Sequence, residues 1–270
     1  MLFRSLHAAW NALIKRDQDV LIATVGIVLG AAAISLLFLP FLPAPAAASW
    51  PFIATSTVAQ FAYYALITRV YRRAELGLTY PIMRGTAPLF VTLANALLFG
   101  EILSPLGLMG VACISGGVLL IAGGKIRRLD SAATLAMALS TAIVIAFYTV
   151  IDGIGVRRSG APAAYTMWIF LLTGLAMGGW ALAWRRKLLL QSFRTAIWVP
   201  IVGGGCTLVS YGIALWAMTL APVAAVAALR ETSILFATLI SVFVLREAAT
   251  WYRIAAVILL TGGAIAIRLS

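Results

Sequence analysis

Three charged side chains stand inside stretches that are otherwise apolar: Arg84, Arg230 and Glu231. Arg84 belongs to the run LGLTYPIMRGTAPLFVTLANALLFGE, residues 76–101, where Pro81 and Pro88 flank it. Insertion scales put a central membrane arginine at roughly +2.5 to +3.5 kcal/mol, so such a residue faces a protein interior or a wet cavity. The two prolines predict a kink where the charge sits. An offset of 146 residues lays Arg84 on Arg230 and, without a gap, Thr86 on Thr232, Phe90 on Phe236, Glu101 on Glu247 and Gly117 on Gly263. Over positions 84–117 this gives 10 identities in 34. Shared apolar composition explains matched leucines, but not an arginine and a glutamate repeated 17 residues apart. The chain reads as a duplication.

Each arginine lies eight residues into its segment, which is roughly 12 Å of helix at 1.5 Å per residue. Two guanidinium groups at that depth suit a negatively charged or zwitterionic ligand; the plainer reading is a clamp on helix-end carbonyls at a proline kink. Glu231 is costly in the membrane unless paired or protonated. It either reaches across to Arg84 or serves as the proton-coupling group. Tyr63 and Tyr64, Tyr80 one turn before Arg84, Tyr148, Tyr211 and Trp216 could stack on or hydrogen-bond a ligand, although an aromatic in a bundle is more often core. Near the N-terminus His7, Asn11 and Lys15 recur at four-residue spacing and share one helix face with Trp10. Tyr148 reads as the counterpart of Trp10. Asp152 is expected at the interface, and Glu101 and Glu247 as turn residues.

The elements that must hold these groups follow from composition. With 63% hydrophobic and 10% charged residues and a mean hydropathy of +1.05, the chain is an all-α integral membrane protein. Ten spans are expected, at residues 1–14, 20–39, 51–70, 76–99, 105–122, 132–154, 162–184, 197–218, 222–245 and 251–267. The first is short, about 21 Å against a hydrocarbon core of about 30 Å. Either the bilayer thins around it, or it enters partway, or the natural start lies upstream. No cleavable signal is read, since the first strongly apolar run begins near Val20. Loops after the odd-numbered spans hold 14 basic residues and the opposite face holds 4, Arg4, Arg157, Arg158 and Arg268. The positive-inside rule places the first set in the cytoplasm and the C-terminus outside. Residues 1–124 and 125–270 then form two five-span repeats that enter the membrane in opposite senses, the pattern of secondary transporters with a midplane site.

The net charge of +12 sits in short clusters between apolar segments, which argues for bilayer topology and against nucleic acid. Two cysteines inside apolar spans and one histidine give no metal or disulfide framework. The eight acidic residues are scattered singly, so no enzyme is expected and no cofactor is called for beyond possible proton coupling. No pore-lining polar ring recurs along a helix, which disfavours a channel. The expected partners are the lipid bilayer and a small-molecule substrate, with the chain a monomer or homodimer.

The run HAAWNALIK, the PIMRGTAPLF core, the LLFGE and VLREA span ends and the GG pair closing each half together resemble the drug/metabolite transporter superfamily, EamA type. The resemblance covers essentially the whole chain as two EamA repeats. It implies a ten-helix bundle in an inner (plasma) membrane, with a central cavity lined by spans 1, 3, 4, 6, 8 and 9 and with spans 5 and 10 peripheral. It also implies export or exchange of small metabolites by alternating access without ATP. The same superfamily includes flippases for lipid-linked sugars, whose phosphate would also suit paired arginines. The family is usually drawn with both termini cytoplasmic, and the charge count here departs from that.

Overall fold

The computed structural model describes residues 20–73, 76–122, 132–195, 197–243 and 250–270. Among the described residues there are helices and no strands: α1 (Val20–Phe38), α2 (Trp50–Arg73), α3 (Leu76–Phe99), α4 (Pro105–Ala122), α5 (Ala132–Ser159), α6 (Pro162–Thr195), α7 (Trp198–Met218), α8 (Val223–Arg230), α9 (Ser233–Phe243) and α10 (Trp251–Arg268). Two short 3₁₀ turns, Leu39–Phe41 and Ala47–Ser49, join α1 to α2. Seven helices, α1, α3 to α7 and α10, are long and apolar enough to cross a membrane. The first expected span, residues 1–14, lies outside the described residues, as do His7, Trp10, Asn11, Lys15 and Glu247.

Helix α2 is long enough at 24 residues but carries a polar stripe. That stripe is largely satisfied within the helix. Thr55 and Thr57 donate to the carbonyls of Pro51 and Ile53 at 2.8 Å, and Gln60 donates to Ser56 at 3.3 Å, both buried. Such back-bonding removes the cost of bare hydroxyls in an apolar setting. Gly100 and Gly160, at φ 65° and 64°, end α3 and α5 in the left-handed conformation that glycine adopts without penalty. Pro162 then opens α6, where a missing N–H costs nothing.

The sequence boundaries needed three corrections. Span 132–154 continues to Ser159, and span 162–184 continues to Thr195 with a bend at Arg185 (φ −135°, ψ 27°). Span 222–245 is not one helix. It breaks between α8 and α9, where Glu231 and Thr232 donate to the carbonyls three residues back, Ala228 at 2.9 Å and Leu229 at 3.1 Å. By contrast α3 runs unbroken through Pro81 and Pro88.

Helix α5 is the hub, packing on α2, α3, α6, α7 and α8. Helices α4 and α10 pack most extensively on each other. Their backbones meet at small residues: a Cβ at Gly110 would lie 2.8 Å from the Gly263 carbonyl, and one at Gly117 3.1 Å from that of Ala256. Close approach through small side chains is how helices associate where lipid is as apolar as leucine. Trp198 and Trp251 are exposed at helix starts and Trp184 at the bend of α6, the level at which indoles favour the headgroup region.

Candidate functional site

The middle of the bundle holds a chain of polar contacts drawn from five helices and the α8–α9 break. Arg84, on α3, sends its Nε to within 2.9 Å of Glu231 Oε2, with side-chain exposures of 17% and 4%. Glu231 caps the C-terminus of α8. The cross-bundle alternative for this carboxylate is therefore the one the structure displays. Tyr63, Tyr80 and Tyr148 all lie within electrostatic reach of Arg84.

Arg230 is the last residue of α8, and its guanidinium carbon stands 5.0 Å from the centre of the Tyr211 ring. A cation over a tyrosine face is attracted by the ring quadrupole. Among the described residues no carboxylate forms an ion pair with Arg230. The Tyr211 hydroxyl in turn donates to Asp152 Oδ2 at 2.5 Å, and Tyr165 donates to Oδ1 at 3.1 Å. Ser56, on α2, lies within electrostatic reach of the same carboxyl. Asp152 is fully buried, at 0% exposure.

Aromatic rings bridge these groups. Tyr63 meets Tyr148 edge-on at 5.8 Å, Tyr148 meets Tyr211 at 6.4 Å, and Phe170 meets Tyr211 at 5.8 Å. Tyr148 and Tyr211 are buried, and Tyr63 is half-buried. Arg84, Arg230, Glu231, Tyr63, Tyr148 and Tyr211 are thus brought together, with the more exposed Tyr80 at the edge. Trp216 stands apart. It shares the exposed face of α7 with Val209 and Ile213, at helical spacings opposite the buried Tyr211, Leu215 and Met218.

Two residues escaped the sequence reading. Asp152 was expected at the interface because span 132–154 ended two residues later; with α5 running on to Ser159 it lies about two turns inside the helix end. The legible signal was a carboxylate four residues after Tyr148 in an apolar run. Tyr165 gave no signal, because its span is absent from the expected cavity. It reaches Asp152 across the tight turn at Gly160, through space left by Gly155. A side chain on Gly155 would collide with the Tyr165 hydroxyl.

Clefts open at opposite ends of the bundle. One of about 480 Å³ is lined by Asn95, Glu101, Arg157, Thr219, Ala221 and Pro222. There Arg157, on α5, ties two loops: it bonds Glu101 at 2.8 Å and the carbonyls of Met218 and Ala221 at 2.8 and 3.0 Å. Glu101 is thereby a turn residue with a partner. The other cleft, about 290 Å³, is lined by Phe61, Thr68, Arg69, Trp180 and Arg185. The Arg84–Asp152 group is in the lining of neither. Among the described residues no cluster of His, Cys, Asp and Glu could hold a metal ion.

The architecture is shared. A solved crystal structure superposes with a TM-score of 0.72 over 99% of this chain and 93% of that one, at 19% identity, a likeness of fold. A sequence model of the EamA-like transporter family matches residues 132–269, which hold Tyr148, Asp152, Tyr165, Tyr211, Arg230 and Glu231. With that match spanning just over half of its length, this multi-pass membrane protein belongs to the EamA-like transporter family.

Proposed function

We propose that the chain is a secondary active transporter, an exporter or exchanger, that moves small anionic or zwitterionic metabolites by alternating access between two inverted five-helix repeats. The observation that carries the ligand class is the asymmetry of the duplicated arginines. Arg84 is neutralised by Glu231 at 2.9 Å. Arg230 lies over the face of the Tyr211 ring with no carboxylate in ion-pair contact among the described residues, at the end of a helix broken inside the bundle. A half-buried cation without a carboxylate in ion-pair contact is the group an anionic substrate would find.

The packing of α4 on α10 supports the inverted repeats. Under the 146-residue offset Gly110 corresponds to Ala256 and Gly117 to Gly263. The contacts Gly110–Gly263 and Gly117–Ala256 therefore exchange into one another, as a twofold relation requires. The charge bias orients the bundle with the Arg185–Lys187 corner in the cytoplasm of an inner-membrane protein. Arg157 and Arg158, on the less basic face, are engaged with Glu101 and the Phe52 ring. Labelling of intact cells checks this: Ala48→Cys, exposed at the 3₁₀ turn, should react with an impermeant maleimide, and Lys187→Cys should not.

The ligand class is tested by thermal shift of the purified protein against amino acids, organic anions, phosphorylated metabolites and lipid phosphates. A stabilising hit should vanish in Arg230→Ala and return in part in Arg230→Lys, which offers a point charge in place of a planar fork. A hit of undiminished size in Arg230→Ala would overturn the assignment.

A further inference from the structure

The buried carboxylate of Asp152 has no role in binding the anion directly, yet it is wired to the residue that does. Its oxygens accept from Tyr211 and Tyr165, and the ring of that same Tyr211 carries the Arg230 guanidinium. The elements packed against Asp152 contribute neutral groups, two arginines and one further carboxylate. Helix α2 presents Ser56 and Gln60, α6 presents Tyr165, and α7 presents Tyr211. From α8 come Arg230 and its following residue Glu231, α3 offers Arg84 beyond Tyr148, and Tyr148 itself is one turn back on α5. No described basic side chain comes within ion-pair distance of Asp152.

Glu231 is placed differently. Its carboxylate sits on a guanidinium at 2.9 Å, so protonating it would leave Arg84 buried and unpaired. Asp152 can take a proton without stranding a cation. With both carboxylates ionised the two arginines are balanced and the cluster is neutral; with Asp152 protonated it carries one net positive charge. A monoanion brought to Arg230 restores neutrality in a setting where net charge is expensive.

Resting on the anion-transport reading above, we infer that Asp152, not Glu231, is the proton-carrying group of this protein, and that one proton and one monoanion load the bundle together through the Tyr211–Arg230 contact. The step is a single protonation: a proton leaves the aqueous phase for an Asp152 carboxylate oxygen, and no other covalent bond changes. Glu231, the proton-coupling candidate by sequence, is then the ion-pair partner of Arg84, and the proton belongs to α5.

The probes are methanesulfonate and benzenesulfonate, monoanions that stay ionised from pH 5.5 to 8.5, so any proton taken up on binding is the protein's own. Calorimetry of the detergent-purified chain in buffers of different ionisation enthalpy reads that proton count. The wild type should take up about one proton per anion at the alkaline end, where affinity should fall about tenfold per pH unit. Asp152→Asn should bind with no proton uptake and a flat pH profile, and Glu231→Gln should still take up the proton. Binding by the wild type without proton uptake at any pH would overturn this inference and leave the anion reading standing. Absence of binding by the wild type would overturn both. Proton uptake that survives Asp152→Asn and disappears in Glu231→Gln would return the role to Glu231. Should Asp152→Asn fail to fold, Tyr211→Phe, which keeps the ring under Arg230, must lower the proton count or the inference fails.

Discussion

Positions 85–86 in α3 and 231–232 after α8 correspond under the 146-residue offset, and they do opposite things to the backbone. Thr86 donates its hydroxyl to the carbonyl four residues back, Ile82, at 2.7 Å, and α3 continues. Thr232 donates to the carbonyl three residues back, Leu229, at 2.6 Å, and the helix stops. The residue before each threonine explains the difference. Gly85 lets α3 lie against α4, where a Cβ would meet Leu119 at 2.9 Å. Glu231 instead extends a carboxylate across the bundle to Arg84. One copy uses the position for close packing, the other for charge. The two arginines share that split: Arg84 sits mid-helix in an ion pair, and Arg230 sits at a helix end with no ion-pair contact among the described residues.

The change expected to break this arrangement most is Arg84→Ala. It leaves Glu231 buried without its cation, which costs about 3–5 kcal/mol when one member of a buried pair is removed. The melting temperature in detergent should drop sharply. The double variant Arg84→Met with Glu231→Met should recover most of the loss, whereas a mere packing role for Arg84 would leave the two defects additive.

Gly85→Ala comes next. The added Cβ must displace Leu119 or part α3 from α4, an overpacking cost of about 1–3 kcal/mol, read as a lower melting temperature with Arg84 and Glu231 still in place. A neutral outcome would mean the glycine is not what separates the two copies.

Arg230→Ala should cost stability little, about 0.5–2 kcal/mol for a cation–ring contact, while removing anion binding. Comparing its melt with that of Arg84→Ala sharpens the contrast between clamp and ligand contact. Equal destabilisation by the two would erase the distinction.

The smallest effect belongs to the threonines. Thr232→Ala removes a hydroxyl that satisfies a carbonyl at the break, a loss of about 1 kcal/mol. Thr86→Ala removes one from a carbonyl inside a continuous helix and should sit near zero. Parallel chemical denaturation of the two variants measures the difference.

Much of this was legible in the chain. Segments of 18 or more apolar residues had to become helices, since backbone polar groups find no water in a bilayer. The repeated arginine declared itself because an ionisable residue is rare in such segments. Less visible was Asp152, whose burial depends on where α5 ends, and helix ends are set by the neighbours that cover them as much as by local sequence. Tyr165 was invisible because its contact with Asp152 is made across the turn between α5 and α6, which only the packing shows.

The sequence by itself determined the class of protein, the 146-residue correspondence between its halves and the residues that carry charge into the apolar interior. Only the tertiary structure decided which charges meet. Arg84, Arg230, Glu231 and Asp152 lie on three different segments, and each could have been paired, bare or at the surface with the same local pattern. Their partners were fixed by the crossing of α3, α5, α7 and α8 around one point, a consequence of long-range packing that no window of neighbouring residues encodes.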